Sequence, residues 1–120
     1  MEPSNITPIS PDKFAISVII PVYNGGENFR RSLSSLAEAK PSPDEIIVVA
    51  DGDTDGSWRV AEEFGVNVLR IPKPQGSARA RNLGAQAAQG DILFFLDADV
   101  LIYPDAIRQI ETAFSNAPAR

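Results

Sequence analysis

Apolar and polar positions along this chain follow two periods, and the switches between them mark out its elements. Ala15 to Val22 (AISVIIPV) is an almost unbroken apolar, β-branched run, which predicts a strand buried on both faces. Phe29, Leu33 and Leu36 then recur at i, i+4 and i+7, the spacing of one helix face, over about Glu27 to Ala39, before Pro41 and Pro43. Glu45 to Ala50 (EIIVVA) reads as a second buried strand, and DGDTDGS after it as a polar turn. A short helix is expected from about Ser57 to Phe64, with Trp58, Ala61 and Phe64 as its apolar side and Gly65 as its stop. Val66 to Ile71 is a third strand, broken by Pro72 and Pro74. Ser77 is placed to cap the next helix, which runs to Gly90 with Ala80, Leu83, Gly84 and Ala87 as its inner stripe. Asp91 to Leu96 is a fourth strand, and Pro104 opens a last helix through about Phe114.

The order βαβαβαβα predicts an α/β fold, a parallel sheet with right-handed crossovers. Residues 1–13, with Pro3, Pro8 and Pro11 among polar residues, read as a flexible lead, and residues 14–120 as one domain. No internal repeat or low-complexity tract interrupts that domain.

Composition narrows the chemistry more than the fold. At 120 residues, 43% hydrophobic and 22% charged, the chain is ordinary globular material. A formal net charge of -5 argues against a nucleic-acid partner, which calls for a basic surface. There is no cysteine, so disulfides and thiolate metal sites are excluded, and no histidine, so the commonest general base is missing. No stretch approaches the length of a membrane span, and the N-terminus lacks a basic-then-apolar leader pattern; the expectation is a soluble, cytoplasmic chain.

Ligands of open α/β sheets bind outside the carboxyl ends of the strands, and that is where the polar clusters fall. The first strand delivers Tyr23 and Asn24, and the second Asp51, Asp53 and Asp55. The third leads into a segment with Arg70, Lys73, Arg79 and Arg81 and no acid, and the fourth into Asp97 and Asp99. Two carboxylates one residue apart repel each other unless a positive charge sits between them. From spacing alone they read as a solvated loop with a helix cap or as ligands of a cation. A basic segment beside them suits a divalent cation bound together with a phosphate-bearing ligand. Arg79 and Arg81 are two apart on a helix, so only one of them can face that point.

In order and spacing, SVIIPVYN, EIIVVADGDTDGS, GSARARNLGAQAAQGD and ILFFLDADV resemble the motifs of the family 2 glycosyltransferases, over about Ile16 to Phe114. The resemblance implies the GT-A fold, a Rossmann-like parallel sheet of strand order 3-2-1-4. It implies inverting, metal-dependent transfer of a sugar from a nucleotide-sugar donor, commonly a UDP-sugar, to an acceptor that the residues do not identify: a glycan, a lipid or a small molecule. By that likeness Pro21 and Tyr23 belong to the nucleotide pocket, with Tyr23 stacking on the base. Asp51 matches the acid that accepts a hydrogen bond from the uracil ring, and Arg81 matches a basic residue of the same pocket. Asp97 and Asp99 match the D-x-D pair, Asp99 being the firmer ligand of Mn²⁺ or Mg²⁺ against the diphosphate. The chain departs from the family pattern where Ala50 precedes Asp51 and Asp53 replaces a serine.

The alternatives are a nucleotidyltransferase-like enzyme, which calls for a basic, glycine-rich loop after the first strand, and a non-catalytic nucleotide-binding module. A nicotinamide-binding domain is disfavoured because no G-x-G-x-x-G follows that strand. In the order 3-2-1-4 the fourth strand ends the sheet, and an edge as apolar as ILFFL is an association hazard. Two expectations follow: the chain is the donor-binding half of a longer protein, with the acceptor site and a carboxylate base beyond residue 120, and it self-associates through that edge.

Overall fold

A computed structural model describes residues 14–116; the lead expected over residues 1–13 lies outside them. The elements are β1 (Ile16–Val22), α1 (Gly26–Ala37), β2 (Glu45–Asp51), α2 (Ser57–Glu63), β3 (Asn67–Ile71), α3 (Ser77–Ala87), β4 (Ile92–Phe95) and α4 (Ala106–Ser115). All strand pairs are parallel, and the four-stranded sheet has the order β3-β2-β1-β4. That is the order the resemblance implies. β1 is central: Ile19 lies opposite Ile47 of β2 on one side and Phe95 of β4 on the other.

Alternation along the strands sorts the side chains onto two faces. Val18, Ile20, Val48 and Ala50 join Phe29, Leu33 and Leu36 of α1, Ala61 of α2 and Ile107 of α4 in the main core. On the opposite face Ile47, Val49 and Ile71 pack with Ala80 of α3. Gly84 sets how closely α3 approaches: a Cβ there would stand 2.5 Å from Cγ2 of Ile19 and 3.2 Å from Cγ2 of Val49. Of the expected inner stripe, Ala80 and Gly84 are buried, Leu83 is half-buried and Ala87 is exposed.

Several boundaries depart from the sequence reading. α3 is capped by Gly76, and Ser77 is its first residue without a side-chain capping bond. The helix stops at Ala87 because the chain beyond is claimed by the sheet. The Gln89 N–H donates to Oε1 of Glu45 (2.9 Å) and the Gly90 N–H to Oγ of Ser17 (2.9 Å). α4 begins at Ala106 rather than Pro104, whose carbonyl instead accepts the Lys40 N–H at 2.9 Å. β4, expected at an exposed edge of the sheet, leaves Leu93 38% and Phe95 43% exposed. α3 covers β1 and β2 on that face and does not extend over β4.

Candidate functional site

The carboxyl ends of the strands gather the residues singled out by sequence. Pro21, Val22 and Tyr23 from the end of β1, Asp51 from the end of β2, and Pro74, Gly76 and Ser77 from the entry to α3 line a concavity of about 270 Å³. Pro21, Tyr23 and Asp51 are thereby brought together. Tyr23 is 56% exposed, with its ring free to carry a flat ligand, whereas Asp51 is only 5% exposed. Both Asp51 oxygens are engaged, Oδ1 by the Gln75 N–H at 2.8 Å and Oδ2 by the Gly76 N–H at 2.9 Å.

A second grouping stands at the end of β4. Arg81 Nη2 is 3.5 Å from Asp97 Oδ1, so α3 and the segment after β4 meet through an ion pair. Asp99 is exposed on the same segment. Of the four basic residues between 70 and 81, Arg81 is the one within ion-pair distance of the D-x-D acids among the described residues. Arg70 turns away: its guanidinium lies 3.8 Å from the centroid of the Trp58 ring and shields it. Arg79 is exposed, as the two-residue spacing requires. Among the described residues no cluster of three or more His, Cys, Asp or Glu side chains forms a ready-made cation cage. Asp97 and Asp99 supply hard carboxylate oxygens in the open, the donor type that suits Mg²⁺ or Mn²⁺ with the rest of the shell left to other ligands.

The DGDTDGS turn does more than cap α2. Asn24, at φ +50°, accepts the Thr54 N–H at 2.7 Å and the Asp55 N–H at 3.2 Å through Oδ1. Asp55 accepts the Ser57 hydroxyl (2.7 Å) and N–H (3.0 Å) at Oδ1 and the Gly26 N–H (3.1 Å) at Oδ2. Partial burial raises the Asp55 pKa, but these bonds, the Ser57 hydroxyl foremost, outweigh it and hold the carboxyl below its ordinary 3.8. The loops after β1 and β2 are thus locked side by side. Read from sequence as a polar turn, this stretch gave no sign of the lock, since its partners lie some thirty residues away.

A larger cavity, about 470 Å³, opens at the opposite, amino-terminal rim of the sheet. Its acids are already used: Oε1 of Glu45 accepts the Ser17 hydroxyl at 2.7 Å and Oδ2 of Asp44 accepts the Ile16 N–H at 2.7 Å. Those bonds tie β1 to the start of β2.

The model of glycosyl transferase family 2 matches residues 17–119. The chain belongs to that family. It is 36% identical over 101 residues to an uncharacterized glycosyltransferase, YibD, of Escherichia coli, covering 81% of this chain and 29% of that protein. Among solved structures it resembles residues 1–349 of TarS from S. aureus in complex with UDP-GlcNAc, with a TM-score of 0.76 and 27% identity, over 81% of this chain and 30% of that one. It also resembles glucosyl-3-phosphoglycerate synthase from Mycobacterium tuberculosis, solved with Mn²⁺, UDP and glucosyl-3-phosphoglycerate, with a TM-score of 0.62 and 28% identity, over 76% of this chain and 36% of that one. This family 2 chain spans about three-tenths of the length of the curated relatives it matches. Among its described residues no helix is long and apolar enough to cross a membrane.

Proposed function

We propose that residues 14–120 are the donor-binding half of an inverting, metal-dependent glycosyltransferase that uses a UDP-sugar. The observation that carries this is the placement of two sites on one sheet edge: the concavity lined by Pro21, Tyr23 and Asp51, and the Arg81–Asp97 pair with Asp99 beside it. A nucleoside diphosphate needs an aromatic platform for its base and a positive partner for its phosphates, and this edge supplies the first and the means of holding the second. The solved relatives with UDP-GlcNAc and with UDP and Mn²⁺ support the same reading.

In this reading Tyr23 stacks on the uracil, Pro21 and Asp51 bound the pocket, and Arg81 reaches the nucleotide. Asp97 and Asp99 would hold Mn²⁺ or Mg²⁺, Asp99 more firmly, and the cation would neutralise the charge that develops on the diphosphate as the sugar–phosphate bond breaks. Asp97 and Asp99 can do this because they stand exposed at the end of a rigid strand. The base that deprotonates the acceptor is not assigned to any residue of this chain. The chain spans about three-tenths of its curated relatives' length, and by itself it is expected to bind donor without turning it over.

Calorimetry with UDP in Mn²⁺ and in EDTA tests the reading. Binding should require the cation, fall sharply in Asp99→Asn and fall less in Asp97→Asn. Tyr23→Ala should weaken it by about 1–3 kcal/mol, the range for one base–aromatic stack. UDP binding in EDTA that is unchanged in Asp99→Asn would sink the metal assignment, and no binding of any nucleoside diphosphate would sink the donor site.

A further inference from the structure

Tyr23 lines the concavity, yet more than half of it is exposed, so its backbone does more than packing to place the ring. The next residue, Asn24, has φ +50°, a conformation that costs any residue with a Cβ and persists only where its surroundings impose it. Bonds running both ways between residues 24–26 and 54–57 impose it here. Asn24 Oδ1 accepts the N–H groups of Thr54 and Asp55, at 2.7 Å and 3.2 Å. In return the Gly25 N–H donates to Oγ of Ser57 and the Gly26 N–H to Oδ2 of Asp55, both at 3.1 Å. Ser57 is itself buried at the start of α2, so this end of the lock is anchored. The turn is also pressed against the core: a Cβ on Gly25 would stand 2.5 Å from Cβ of Phe29 and 2.7 Å from Cγ2 of Val22. One atom, Asn24 Oδ1, takes both N–H groups that the DGDTDGS turn offers across to the β1 loop.

We propose that Asn24 is a positioning residue: by holding the turn after β2, its Oδ1 fixes the backbone from which Tyr23 projects, and so sets the base platform opposite Asp51. The inference rests on the donor-site reading for its ligand, but the fixed Tyr23 backbone is a property of the unliganded chain. Two other roles make different predictions. A purely structural Asn24 would cost stability without acting through Tyr23. An Asn24 that touched the ligand would cost affinity whether or not the Tyr23 ring is there.

Calorimetry with UDP and Mn²⁺, well below the melting transition, separates these roles as a double-mutant cycle of wild type, Asn24→Gly, Tyr23→Ala and the double variant. Asn24→Gly keeps the positive φ without strain and removes only the side-chain bonds. It should lower UDP affinity about tenfold, on the order of one lost hydrogen bond, and add almost nothing once Tyr23 is Ala. Asn24→Asp, which still offers an oxygen to the two N–H groups, should recover most of the loss. NMR relaxation of the nucleotide-free chain reads the anchor directly: the Tyr23 amide should gain mobility in Asn24→Gly and keep its wild-type order in Asn24→Asp. The same tenfold loss in the Tyr23→Ala background would overturn the proposal, as would a Tyr23 amide equally ordered in wild type and Asn24→Gly. If the wild-type chain binds no UDP, the donor reading fails, while the order of the Tyr23 amide still decides whether Asn24 is the anchor.

Discussion

Nη2 of Arg81 and Oδ1 of Asp97 stand 3.5 Å apart, tying the first turns of α3 to the end of the strand whose carboxylates are the candidate cation ligands. Without a ligand, the guanidinium partly meets the charge that a cation would otherwise meet. The two side chains are 42% and 69% exposed, so the pair contributes little to stability and yields readily to a better partner. In the proposed donor reading, a cation held by Asp97 would free Arg81 for the anionic diphosphate. Arg81→Gln should therefore tighten Mn²⁺ binding to the nucleotide-free chain by up to about 1 kcal/mol. The same change should weaken UDP binding, whereas Arg79→Gln should change neither. Electron paramagnetic titration of free Mn²⁺ reads the first effect and calorimetry the second; equal effects at the two arginines would contradict the assigned helix face.

The sheet depends on Gly84 as directly as the site depends on its loops. Its absent side chain is what lets α3 lie on Ile19 and Val49. Gly84→Ala improves helix propensity but pushes a methyl into close-packed side chains, and overpacking of this kind costs about 1–3 kcal/mol. Urea denaturation should show a net loss of stability.

The Asp55 lock should be visible as a pH dependence. Because the folded carboxyl titrates below its unfolded value of 3.8, its contribution is full above that value and is lost as pH falls through the lower folded one. Wild type should be more stable than Asp55→Asn at neutral pH. The gap between their melting temperatures should narrow as pH falls below 3.8 and through the lower folded value. A constant gap would mean that the bonds to Ser57 and Gly26 do not depend on charge.

Beyond the site, the open side of β4 remains the weak point of the fold. Leu93 and Phe95 face the side that α3 leaves bare, and Val100, Leu101 and Tyr103 are exposed just beyond. Such an edge promotes pairing with another chain. Light scattering should show association that grows with concentration and recedes in Phe95→Lys. A monodisperse wild-type monomer at high concentration would remove the argument.

The sequence by itself determined which segments are strands and helices, because period and β-branching are local properties that survive in almost any packing. Glu45 to Ala50 and the Phe29–Leu33–Leu36 stripe were legible for that reason. It also placed the polar residues at one edge, since a parallel sheet leaves every strand's carboxyl end on the same side. Where elements stop was not legible: α3 ends early because Gln89 and Gly90 bond to Glu45 and Ser17 on other strands. Nor could spacing reveal that Arg70 covers Trp58, that Arg81 meets Asp97, or that both oxygens of Asp51 accept backbone N–H groups of Gln75 and Gly76. These are contacts between segments far apart in sequence. Only the tertiary structure decides which carboxylates stand exposed and which are buried against backbone N–H groups, because those contacts join segments that the sequence keeps apart.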